Sequence, residues 1–453
     1  MATTQIFFAS SLFGAATVAA AIDSGCFADA DRRLLLVSNN AAVPETTPAP
    51  DAAPGFERLR DRFDGVLSWN EAVSPFHPAA WSPRADDVPL WERHLRRLWR
   101  LGDDRIDLVL ESLQVAPALS VARLFPDAAL DVYADGLMSY GPTRNRIDPL
   151  VGERVRGLFH LDLVPGLRPL LLAEFGAEPR VVPAGAFAKV VDELSDALPD
   201  LTAVAGALGG GPLEEPGDGG DGPAVVLGQY LAALGILSRA EEEELHARMV
   251  RAVAGLGHRR IVFKAHPAAP AAWGHRAAAE AAALGVELTV VDRPVLAEVL
   301  YRRLRPSLVA GCFSTGLLTA ASLHGIDVAR FGTGGLLERL TPYRNSNRVP
   351  LMLVDALVPD LEAGASGPAA AADERLTGLL DAVGFAMQPQ LRHDLRPLAE
   401  HFLRGAPEAE RLRLIGRRRL TSLGLPGGVP VPRHAVVRRA VRRARGLKRA
   451  VLR

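Results

Sequence analysis

Cysteine is almost absent: Cys26 and Cys312 are the only two in 453 residues, too few for a disulfide scaffold or a thiolate metal cage. That scarcity points to a reducing, cytoplasmic setting. An excess of charge of one sign is missing as well, since 52 Lys and Arg balance 52 Asp and Glu. Without a basic surplus to neutralise a phosphate backbone, a general nucleic-acid binder is disfavoured. Lysine is confined to Lys189, Lys264 and Lys448, so nearly all positive charge is arginine. No P-loop appears, no GxGxxG follows the first apolar run, and neither HExxH nor GxSxG is present. Nucleotide hydrolase, dehydrogenase and serine hydrolase chemistry lose support with them. A membrane-spanning run of ~20 apolar residues is also lacking. The nearest approach, Ile6–Ile22, has no positive flank, is broken by Ser10, Ser11 and Gly14, and reads as strand, turn and helix rather than as a targeting segment.

What the chain does contain is alternation. Short apolar runs at Gln5–Ala9, Leu34–Ser38, Gly65–Trp69, Ile106–Leu110 and Ala129–Tyr133 read as strands between helix-length stretches such as Leu90–Leu101 and Val115–Phe125. The pattern resumes at Ala224–Leu227, Ile261–Lys264, Leu288–Val291, Ser307–Ala310 and Val328–Phe331, with helices at Ala240–Ala254, Ala271–Ala283, Val295–Arg303 and Thr315–His324. Near-continuous apolar strands are buried on both faces, which predicts two doubly wound α/β layers. A Gly-rich connector separates them, giving expected units at 1–206 and 224–430, a linker at 207–223 and a basic tail at 431–453. The long loop Glu71–Arg84, with Phe76, Trp81 and three prolines, is a candidate acceptor loop together with Trp69.

In open α/β sheets ligands bind beyond the carboxyl ends of the strands, so the residues just after each run matter most. Asp135, before Gly136, can take a proton from a substrate hydroxyl, although Asp-Gly is also ordinary turn chemistry. In Lys264-Ala-His266-Pro267 the proline stops regular structure and leaves an imidazole at the sheet rim, able to serve an anionic leaving group. Ser314-Thr315-Gly316 opens a helix and offers hydroxyls and backbone N–H groups to a phosphate, or simply caps the helix. Glu298 on the preceding helix is placed to take ribose hydroxyls or to be solvated. Asp29 and Asp31 have metal-site spacing, but Arg32 and Arg33 beside them argue against a metal.

Taken in order, Asp-Gly at a strand end, His-Pro after Lys, and Ser-Thr-Gly at a helix start resemble the bacterial sialyltransferases, and most closely the α-2,8-polysialyltransferase-like family. Leu110-Glu-Ser-Leu-Gln114, Tyr133–Tyr140, Leu227-Gly-Gln229 and Asn345-Ser-Asn-Arg348 add to the likeness, over roughly the first 350 residues. The resemblance implies a GT-B fold: two Rossmann-like domains facing an interdomain cleft. It also implies a CMP-sialic acid donor, a glycan acceptor, inversion, and no metal or other cofactor. Carried over by position, Asp135 is the general base, preceded here by Ala134 where the family has a second acid. His266 assists departure of CMP, Lys264 and Pro267 lie near the cytosine, Glu298 holds the ribose, and Ser314 and Thr315 hold the phosphate. Acceptor contacts are expected from Ser10, Ser11, Glu111, Gln114 and Arg144. The tail from Arg433, with apolar residues at helical spacing among arginines, predicts peripheral contact with an anionic lipid surface on the inner face of the plasma membrane. A CDP-alcohol phosphotransferase and a non-catalytic nucleotide-sugar-binding scaffold are the alternatives.

Overall fold

The computed structural model describes residues 2–134, 136–198, 222–266 and 274–429. Seven parallel strands form the first sheet: β1 (Thr3–Ala9), β2 (Arg32–Val37), β3 (Gly65–Ser68), β4 (Arg105–Glu111), β5 (Ala129–Ala134), β6 (Val155–Leu161) and β7 (Glu178–Val182). Their spatial order is β3-β2-β1-β4-β5-β6-β7. Five more, β8 (Ala224–Leu227), β9 (Arg260–Lys264), β10 (Glu287–Val291), β11 (Leu308–Gly311) and β12 (Val328–Arg330), form the second in the order β10-β9-β8-β11-β12. Both sheets reverse direction of winding beside their first strand, between β1 and β4 and between β8 and β11. These are the topological switch points where such sheets hold ligands. The arrangement is the GT-B fold expected from the sequence.

The expected strands agree with these to within two residues at each end, because their apolar runs are covered on both faces. Ile6, Phe7, Leu34, Leu35, Leu108 and Val109 are all fully buried. Each such side chain contributes about 1.5–3 kcal/mol on burial. β6 and β7 were not singled out by pattern, and the reason is local. Arg156, Gly157 and His160 interrupt β6, and Arg156 ties its strand to Asp131 of β5 at 2.5 Å and Asp107 of β4 at 3.2 Å. β7 carries Pro179, which an edge strand tolerates because one side makes no ladder bonds.

After β12 the chain turns helical, with helices at Thr333–Arg339, Arg348–Leu357, Glu374–Met387, Arg396–Gly405, Glu408–Leu414 and Arg417–Leu423. This layer reaches back to the first half. A Cβ on Gly384 would lie 2.6 Å from Leu170 Cδ1, and Arg392 Nη1 donates to the Leu170 carbonyl at 3.3 Å. Elsewhere Arg303 Nη1 donates to the carbonyls of Ser195 and Leu198 at 3.0 and 2.9 Å. The two halves are thus joined at more than one place.

Candidate functional site

The second half supplies a wall built on buried charge. Directly after β8 the chain passes Gly228, where a Cβ would sit 3.0 Å from Phe263 Cζ and 3.1 Å from the Lys264 carbonyl, so close approach of β9 requires glycine. The loop that follows has no ladder partner and is held instead by helix Arg239–Gly255. Glu242 accepts the backbone N–H groups of Leu231 and Ala232 at 2.6 and 2.7 Å. One turn on, His246 Nε2 accepts the Gln229 N–H at 3.0 Å. Burial raises the Glu242 carboxyl and pulls the His246 imidazole down to about 4. The loop so fixed presents Tyr230, whose ring stacks on His266 with centroids 4.2 Å apart and planes 10° apart.

His266 follows β9. Burial first, and then the charge of Lys264, lower it to about 4, so its imidazole is neutral at pH 7. Lys264 itself is 5% exposed and donates to the Ala265 carbonyl at 2.8 Å. Burial brings it down to about 8 against the opposing pull of Asp292 and Glu298. Glu298 is 3% exposed and accepts the Thr319 hydroxyl at 2.6 Å, with burial raising its carboxyl. Tyr301, on the same helix, donates to the Gly316 carbonyl at 3.1 Å. Glu298 therefore lies beneath the helix Thr315–His324 and Lys264 is buried at the end of β9, and neither is among the residues that line the cleft. Ser314 is the N-cap of that helix, accepting the Gly316 N–H at 3.2 Å, and both hydroxyl residues face the cleft.

The first half meets this wall through the turn after β5. Leu137 N–H donates to Thr315 Oγ1 at 3.4 Å, and a Cβ on Gly136 would fall 2.4 Å from that oxygen. Gly136 has extended backbone with φ 168°, so the demand there is for space and not for an unusual conformation. Asp135 and Pro267, expected as general base and cytosine contact, lie outside the described residues. At the switch point Ser10 N–H and hydroxyl donate to the Glu111 carboxylate at 2.6 and 2.9 Å. Ser11 caps the helix Leu12–Asp23 through Gly14 N–H at 3.0 Å. Gln114 accepts the Arg144 N–H at 2.5 Å, and Arg144 extends to Ser346 Oγ at 3.4 Å, bridging the halves.

Between the walls is a cleft of about 700 Å³. Of the expected site residues, His266, Ser314, Thr315 and Arg144 line it together. Ser10, Ser11, Glu111 and Gln114 are not among its lining residues and instead tie down the loops after β1 and β4. Trp69 and Trp81 are packing residues: Trp69 is fully buried, and Trp81 lies edge-on to it and to Trp91, with centroids 5.8 and 4.7 Å away. Tyr230 and Arg344 were missed as site residues. Tyr230 stands three positions beyond an apolar strand, the same signal that exposed His266. Glu242 and His246 look like solvated helix positions in sequence, and only the fold buries them.

The sequence profile of a known family, alpha-2,8-polysialyltransferase, matches residues 5–332, about three quarters of the chain. No curated protein matches the sequence. Among solved structures the chain is similar to the GT-B domain of a sialyltransferase from Photobacterium damselae, at 10% identity and TM-score 0.39, over 78% of this chain and 96% of that one. It is also similar to MurG from Acinetobacter baumannii, at 12% identity and TM-score 0.38, over 90% and 96%. A third is UDP-GlcNAc 2-epimerase from Methanocaldococcus jannaschii, at 13% identity and TM-score 0.41, over 73% and 83%.

Proposed function

The chain belongs to the alpha-2,8-polysialyltransferase family, and from that premise we propose that it moves sialic acid, or a related nonulosonic acid, from a CMP-activated donor to a glycan acceptor, inverting the anomeric centre without a metal. Membership makes it a glycosyltransferase of the sialyl-transferring kind, working on a nucleotide sugar and a glycan. The finer reading is supported above all by the meeting of Leu137 N–H with Thr315 Oγ1, which brings the turn after β5 to the wall that carries His266, Ser314 and Thr315.

The chemistry follows from where charge develops. As the bond from the anomeric carbon to the phosphate breaks, negative charge grows on the CMP oxygens. Hydroxyls and an imidazole N–H already directed at the cleft stabilise that charge with little reorganisation. A neutral His266 donates one N–H as a hydrogen bond to the phosphate; the arriving phosphate charge raises the basicity of its imidazole, so that the ring takes up a proton from water and passes it to the departing CMP oxygen. Tyr230, stacked on the ring, keeps its plane fixed. Asp135 takes the proton of the acceptor hydroxyl as that oxygen attacks the face opposite the phosphate, and inversion results.

Incubation with a glycan acceptor and either CMP-sialic acid or CDP-glycerol, with and without a chelator, tests the reading. Sialylated product and CMP are expected from the first donor alone, undiminished by chelation. Turnover of CDP-glycerol in preference would replace the proposal with alcohol-phosphate transfer.

Among the described residues no helix is long and apolar enough to cross a membrane. Attachment to an anionic lipid surface on the inner face of the plasma membrane, in the service of cell-surface polysaccharide synthesis, belongs to the same proposal. It rests on the sequence of residues 431–453, which lie outside the described residues. Co-sedimentation with phosphatidylserine vesicles should disappear when they are removed, and persistence of binding would end that part.

A further inference from the structure

The cleft holds more positive charge than leaving-group chemistry uses. Among the described residues that line it are Arg144 and Arg344, the neutral His266, and no carboxylate. Lys264 does not add to this surface, because its ammonium is buried against the Ala265 carbonyl. Two guanidinium side chains lining one partly enclosed space, with no carboxylate among its described lining residues, are costly unless an anion arrives between them.

Both arginines stand on braced backbone. Arg144 is held through its N–H by Gln114 and through its carbonyl by Gln388 Nε2, at the end of the helix Glu374–Met387. Arg344 belongs to a turn in which Asn345 N–H donates to the Pro342 carbonyl at 2.9 Å and Asn347 N–H to Asn345 Oδ1 at 3.0 Å. Arg144 Nη1 reaches Ser346 Oγ of the same turn. Such bracing reduces what a ligand must order on binding. A guanidinium presents a planar fork that matches a carboxylate in two parallel hydrogen bonds. The family match stops at residue 332, so Arg344 and its turn are a part of the cleft that the matched segment does not contain.

The donor proposed above carries two anionic groups, a phosphodiester and a carboxylate. His266, Ser314 and Thr315 answer the first. We infer that Arg144 and Arg344, with the Asn345–Asn347 turn, form a separate subsite for a sugar carboxylate, an inference that rests on the proposed sialyl donor. The carboxylate belongs either to the donor sugar or to the terminal acid sugar of a sialylated acceptor.

Arg144→Gln and Arg344→Gln variants, titrated with CMP and with CMP-sialic acid and assayed on neutral and sialylated acceptors, separate these cases. Either variant should bind CMP as the wild type does. A loss of roughly 10- to 100-fold in affinity for CMP-sialic acid, the scale of one charged hydrogen bond, assigns the carboxylate to the donor. Unchanged donor affinity with a KM raised by a similar factor for sialylated but not neutral acceptor assigns it to the acceptor. Equal weakening of CMP and CMP-sialic acid, or no change with any ligand, overturns the subsite. A wild type that binds neither nucleotide overturns the donor reading and takes the subsite with it.

Discussion

The loop after β8 hangs on Glu242 and His246, both wholly buried, whereas the loop after β1 is tied by Ser10 to the half-exposed Glu111. The two loops occupy equivalent switch points in their sheets, yet one is fixed from within the core and the other at the rim of its sheet. Buried hydrogen-bonded charge is expensive to misplace, so the second wall has one arrangement open to it. A rim-tied loop can yield to substrates of different shape. Such a division suits a fixed activated donor on one side and a growing glycan on the other.

The largest effects are expected from removing the proposed catalytic group of each half. His266→Ala and Asp135→Ala should each lower kcat by roughly 10²–10³, with thermal unfolding unchanged. Near-normal turnover by either variant refutes its role. Next in size is Gly136→Ala, which drives a methyl group into Thr315 Oγ1. Overpacking of this kind costs on the order of 1–3 kcal/mol, so activity should fall about 10- to 100-fold. Adding Thr315→Ala should restore thermal stability lost in Gly136→Ala without restoring the phosphate contact, and a double variant with an unfolding midpoint no higher than that of Gly136→Ala would show that the two turns do not meet.

A pH series sharpens the comparison further. His246 and His266 are held near 4 by burial, against an ordinary 6.5, and His160 and His324 are displaced the same way. Below pH 6.5 the unfolded chain takes up protons that the folded chain refuses. Stability should therefore be full above about pH 6.5 and fall as the pH drops toward 4, by about 1.4 kcal/mol for every tenfold difference in proton affinity between the folded and unfolded imidazole. Protonated His246 also loses the lone pair that accepts Gln229 N–H. Urea midpoints should fall with acidification in the wild type and less in His246→Gln; parallel curves would contradict this account. The smallest effect belongs to the rim, where Ser10→Ala should change acceptor KM by only a few fold and leave donor KM alone. A change in donor KM as large as that of acceptor KM would erase the proposed division between the walls.

How much was legible beforehand differs by residue. His266, Ser314 and Thr315 were found because each follows an apolar strand, and in a parallel sheet that position is the cleft by construction. The family resemblance implies ligand contacts for Lys264, at the end of a strand, and for Glu298, on the helix before the Ser-Thr turn; Lys264 is still within β9, and Glu298 turns inward to Thr319. Two positions along the chain separate the buried Lys264 from the cleft-lining His266. Trp69 and Trp81 were candidate sugar platforms because aromatic loops often are, while three indoles in reach of each other pack more favourably together.

Sequence alone determined the two wound sheets, since uninterrupted apolar strands alternating with helices can be buried only between helical layers. It also determined which strand ends carry hydroxyl and imidazole chemistry, and through its motifs the family. Tertiary structure decided which polar groups face the cleft and which support it from below, and it brought Arg344 opposite Arg144 across 200 residues of chain. Burial and long-range pairing depend on how layers stack, and hydrophobic periodicity specifies a segment's buried face without specifying what that face will meet.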